Sequence, residues 1–107
     1  MSAIQETAEI HPSATIGRGV TICDYVIIKA GAQIGNGCHI GEGVTIGEGA
    51  TIGNGANLLA YAYVGPGATI GNGATICEGA SVARGATIGN GQFVEGTEAA
   101  AYGAVIE

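Results

Sequence analysis

Every sixth residue of this 107-residue chain is aliphatic, from Ile4, Ile10 and Ile16 through to Ile88 and Val94, sixteen positions in succession without an insertion. Four residues beyond each stands a small apolar side chain in fourteen of the sixteen cases, with Gln92 and Glu98 as the exceptions. Three residues beyond each stands glycine in eleven, as in Ile52-Gly53-Asn54-Gly55. A short fixed period of this kind signals a stacked solenoid. Strand alternation sends Ala50 and Ile52 to one side of their unit and Thr51 and Gly53 to the other. Asn54-Gly55 predicts a corner, because both residue types tolerate positive φ. A strand and a corner every six residues close a triangular turn in eighteen, and successive turns stack as parallel strands around the aliphatic column. About six coils without inserted loops are expected in a single domain spanning 1–107, regular over about 4–94, with a degenerate coil or cap over 95–107. Within that cap Glu98 falls at an inward position and Ala100 replaces the aliphatic, while Ala104 and Ile106 return to phase.

Composition removes the competing classes. The 21 glycines disfavour long helices, since each costs roughly 1 kcal/mol against alanine in a helix interior. Two prolines and no glycine at every third position exclude collagen, and 47% hydrophobic residues exclude a disordered linker. The net charge of −6, with Arg18, Lys29 and Arg84 as the cations, argues against nucleic acid or an anionic membrane as partner. No apolar run approaches the roughly 20 residues of a membrane span, and the N-terminus lacks a signal-peptide pattern. Three cysteines without a close pair predict free thiols and a cytoplasmic setting.

The repeat resembles the bacterial hexapeptide-repeat transferase-like family, over roughly residues 4–94. The resemblance implies an all-β, left-handed parallel β-helix; crossover statistics alone favour the opposite hand. It also implies a parallel homotrimer. The helix that usually follows the coils in that family has no counterpart in the pattern, which reads as a minimal, truncated or engineered member and makes end-to-end stacking a further expectation.

Eighteen-residue spacing sorts the outward residues into three faces. A threonine face carries Thr15, Gln33, Thr51, Thr69 and Thr87, followed by a corner of Arg18, Asn36, Asn54, Asn72 and Asn90. A His39 face carries Thr21, His39, Asn57, Thr75 and Phe93, with Cys23, Gly41, Leu59, Cys77 and Glu95 beside them. A Tyr63 face carries Glu9, Ile27, Thr45, Tyr63, Ser81 and Ala99, with His11 and Lys29 near its start. Tyr25, Ile27, Leu59, Tyr61 and Tyr63 are expected to face outward in one region, where apolar clustering marks an interface.

The chemistry is sparse. His11 and His39 lie on different faces about two turns apart and cannot share a metal ion, so no metal is expected. Cys23 and Cys77 are three turns apart, too far for a disulfide, and Cys38 should point into the core. The glycines follow G-x-G-x-x-x-G, which is not the dinucleotide fingerprint. The lead reading is therefore a homotrimeric scaffold without a complete active site and without a cofactor. The alternative follows from the resemblance: a minimal acyltransferase, dependent on acetyl-CoA or an acyl carrier, with His39 as general base in an inter-subunit cleft beside Asn57. Lys29 would then help bind the anionic donor. The stretch Ala56 to Val64 is similar to coils of nucleotide-sugar N-acetyltransferases, in scaffold positions rather than catalytic ones. Ice binding through Thr15, Thr51, Thr69 and Thr87 is a third reading, weakened by Gln33 and by the absence of a second threonine column.

Overall fold

A computed structural model describes residues 3–95 together with the strands Ala99–Ala100 and Val105–Ile106. Strands of two residues recur with the sixfold sequence period and stack into three six-stranded parallel sheets. The His39 face is built from Ala3–Ile4, Thr21–Ile22, His39–Ile40, Asn57–Leu58, Thr75–Ile76 and Phe93–Val94. The Tyr63 face is built from Glu9–Ile10, Ile27–Ile28, Thr45–Ile46, Tyr63–Val64, Ser81–Val82 and Ala99–Ala100. The threonine face is built from Thr15–Ile16, Gln33–Ile34, Thr51–Ile52, Thr69–Ile70, Thr87–Ile88 and Val105–Ile106. Each strand pairs with the one eighteen residues on, so Thr51 lies beside Thr69 and Ile52 beside Ile70. The continuous stretch makes about five turns, and the body measures 32 × 21 × 20 Å.

Alternation within each strand does what the pattern requires. The second residue is buried in every strand from Thr21–Ile22 to Phe93–Val94, while the first faces out. Ile22, Ile40, Ile46, Leu58, Val64, Ile76 and Val82 are wholly inaccessible, and the alanine column from Ala50 to Ala86 packs between them. Among the described residues no polar or charged residue is buried. Ala100 and Ile106 continue the register opposite Val82 and Ile88. Residues 96–98, 101–104 and 107 of the expected cap, Glu98 and Ala104 among them, lie outside the described residues.

The corners are four-residue turns closed by an i+3 to i hydrogen bond, as from Ala74 N–H to the Gly71 carbonyl at 3.2 Å. Positive φ at the third position, +69° at Gly73, makes this a type II turn. The expectation that asparagine also takes positive φ is corrected here: among the described residues, the non-glycine residues that do so are Tyr25 and Tyr61. Asparagine has another task. Its Oδ1 accepts the backbone N–H of the equivalent residue one turn below, from Arg18 N to Asn36 (2.8 Å) through Asn36 to Asn54 (2.9 Å) and Asn54 to Asn72 (2.9 Å) to Asn72 and Asn90 (2.8 Å). This ladder satisfies a run of corner donors that would otherwise rely on water.

Candidate functional site

His39 is carried outward by a strand whose other residue, Ile40, is locked in the core. Thr21 lies one turn below it and Asn57 one turn above in direct register, so His39 and Asn57 are about 4.8 Å apart at the backbone. The His39 ring is exposed, whereas Asn57 is half-buried and its Oδ1 is fully buried without a hydrogen-bond partner. Such an acceptor costs about 1–3 kcal/mol unless a donor reaches it. Beside His39, Gly41 keeps the surface low: a Cβ there would come within 2.9 Å of Ala60 N and 3.0 Å of Leu58 O in the turn above. A titratable imidazole thus stands next to an amide oxygen in want of a donor.

The expected apolar group assembles around the neighbouring corner. Tyr25, Tyr61, Tyr63 and Ile27 are exposed at 64%, 61%, 41% and 37%, on that corner and on the Tyr63 face. Leu59 departs from the expectation in degree. It is half-buried, because its position just after the strand is lapped by the adjacent turns. Tyr25 and Tyr61 hold φ of +64° and +62°, at corners where eleven other units use glycine. This left-handed conformation costs an L-residue roughly 1–2 kcal/mol. The Tyr61 ring lies across Gly43 one turn below, where a Cβ would meet its Cδ1 at 2.5 Å. A period-six pattern places these tyrosines but does not disclose their strain, which depends on the turn type.

Lys29 and His11 lie elsewhere, one turn apart in one column, on a groove at the corner between the Tyr63 and threonine faces. Glu9, Ile10, Ile27 and Glu48 also line it. Sequence reasoning noted His11 and Lys29 but not the groove, nor Glu48, which comes from two turns above His11. The one available signal was Ser13, standing at a corner position usually taken by glycine. Within one chain Lys29 and His39 are on different faces. Among the described residues no group of three potential ligands could hold a metal ion. The cysteines are free; Cys38 is buried, donates to the Gly53 carbonyl at 2.9 Å, and burial pushes its thiol pKa up against backbone hydrogen bonds that lower it. No described helix is long and apolar enough to cross a membrane.

The chain matches the family described as bacterial transferase hexapeptide (six repeats) over residues 29–60 and 49–84. No curated protein sequence matches it. Among solved structures it is similar to a histidine-to-asparagine variant of perosamine N-acetyltransferase from Caulobacter crescentus, in complex with CoA and GDP-perosamine, at 26% identity and a TM-score of 0.95. That match covers 100% of this chain and 51% of the other. The acetyltransferase domain of PglB from Neisseria gonorrhoeae is similar at 25% identity and a TM-score of 0.70, over 100% and 49% of the two chains. The same domain in complex with acetyl coenzyme A has a TM-score of 0.74 at 24% identity, over 98% and 50%. This chain therefore spans about half the length of these structures.

Proposed function

This chain belongs to the bacterial transferase hexapeptide family, and on that premise we propose that it is the coil module of a cytoplasmic, homotrimeric acyltransferase that takes its acyl group from acetyl-CoA. The observation that carries this reading is the match along its whole length, with a TM-score of 0.95, to a sugar N-acetyltransferase in complex with CoA. An aminated sugar is the acceptor class this similarity supports. The free thiols suit a reducing compartment.

In the proposed reaction His39 takes the proton from the acceptor amine as its nitrogen attacks the thioester carbonyl. The C–N bond forms, the C–S bond breaks, and the imidazolium returns its proton to the departing thiolate of CoA. Asn57, half-buried one turn above His39 in direct register, contributes polar surface beside the acceptor amine. His39→Ala should lower acetyl transfer by about 10²–10⁴-fold while leaving the solution mass unchanged. Transfer within about twofold of the parent would overturn the role of His39.

The exposed tyrosines support the trimer. A residue kept in a costly conformation at an exposed corner is retained for what its side chain touches. Replacing Tyr25 and Tyr61 together by glycine suits their φ and should preserve the fold by circular dichroism. It should also convert the trimer to monomer by light scattering. A variant that remains trimeric would remove these residues from the interface. The scaffold reading, first on the sequence alone, becomes second; the same exposed residues favour it, and it predicts a trimer with no transferase activity at all.

A further inference from the structure

We infer that the groove between the Tyr63 and threonine faces binds a small amphoteric molecule, one carboxylate and one ammonium group on a short aliphatic chain. This site is on a different corner from His39 and does not rest on the acyl-transfer reading. The argument begins with the tautomer of His11. The Ser13 backbone N–H donates to His11 Nδ1 at 3.0 Å, and a peptide N–H has no other role to play. The Ser13 hydroxyl lies 2.8 Å from the same nitrogen and accepts the Gly31 N–H at 3.0 Å. Nδ1 is thereby an acceptor, so the neutral ring carries its proton on Nε2. His11, which lines the groove, then offers Nε2–H as a hydrogen-bond donor.

Lys29 supplies the second donor. It stands one turn above His11 in the same column, about 4.8 Å away at the backbone, and no ion pair engages it among the described residues. Two adjacent donors, one charged, suit a carboxylate. Glu9 and Glu48 line the same groove and can only accept, which favours an ammonium group and disfavours a phosphate-rich anion. Ile27, 37% exposed between these polar groups, provides an apolar surface for a methylene spacer.

The test is an NMR titration of the whole chain with glycine, β-alanine and 4-aminobutyrate, against propionate and propylamine as half-ligands. At least one amino acid should shift the His11 ring and Gly31 N–H signals saturably, with an affinity ten or more times that of either half-ligand. His11→Phe and Lys29→Met should each abolish that advantage, as should Glu48→Gln, whereas His11→Gln, which keeps an N–H donor, should retain most of it. All three substituted residues are exposed, and circular dichroism of each variant verifies its fold. The proposal fails if none of the three amino acids saturates. It fails equally if a half-ligand binds as tightly, or if His11→Phe binds like the parent.

Discussion

Ile46→Asp should leave the chain unfolded at neutral pH, read as loss of the strand signal in circular dichroism and of a cooperative thermal transition. Ile46 has no solvent exposure, with Ile28 below it and Val64 above it in the column. The substitution removes about 1.5–3 kcal/mol of apolar burial and adds an unpaired carboxylate whose desolvation costs several kcal/mol more. Their sum reaches the whole stability of a typical domain, about 5–15 kcal/mol. Solenoid coils contact only their neighbours, so a broken central coil also severs the stack into pieces too short to stand alone. Burial would raise the new carboxyl's pKa, so the folded chain binds the proton more tightly than the unfolded chain and stability climbs as pH falls. Partial recovery of structure toward pH 4 is therefore expected. A folded Ile46→Asp protein at pH 7 would refute the register.

Gly53→Ala should destabilise the coil by about 1–3 kcal/mol, a steric penalty of the overpacking kind. An added Cβ would meet Asn72 Oδ1 at 2.5 Å, Asn72 N at 2.6 Å and the Gly71 carbonyl carbon at 2.7 Å. Two of these are backbone atoms of the next turn, so no rotamer relieves the clash. At roughly 4–8 °C per kcal/mol the melting temperature should fall well clear of experimental error. Gly55, two residues on, is the control. Its φ is +69° and its added Cβ would have open space, so alanine there meets only the left-handed penalty of roughly 1–2 kcal/mol, partly offset by a stiffer unfolded chain. Melting of the two variants side by side should rank Gly53→Ala as the more damaging. The reverse order would mean that neighbouring turns are less tightly seated than the structure shows.

The candidate site was legible in outline. A period of eighteen suffices to set Asn57 above His39 and to gather Tyr25, Ile27, Tyr61 and Tyr63, because every outward residue inherits its column from its number. The half-burial of Leu59 was not legible, since it depends on how adjacent turns lap over the position after a strand. Nor was the His11 tautomer, which needs Ser13 and Gly31 brought together across an eighteen-residue offset at hydrogen-bond distance. The orphaned oxygen of Asn57 is likewise a property of packing around one atom.

By itself, then, the sequence determined the strand positions, the stacking register, the division into three faces and the composition of the core. Each follows from a strict six-residue period, which leaves one way to gather the aliphatic column into a shared interior. Tertiary structure alone decided which of two glycines in Gly53-Asn54-Gly55 serves φ and which serves close approach, and that asparagine caps the turn beneath it instead of bending the chain. It also decided that two tyrosines sit in a glycine's conformation and that His11 faces its groove as a donor. These outcomes depend on contacts between successive turns, where separations of a few ångströms choose among arrangements that the repeat pattern treats as equivalent.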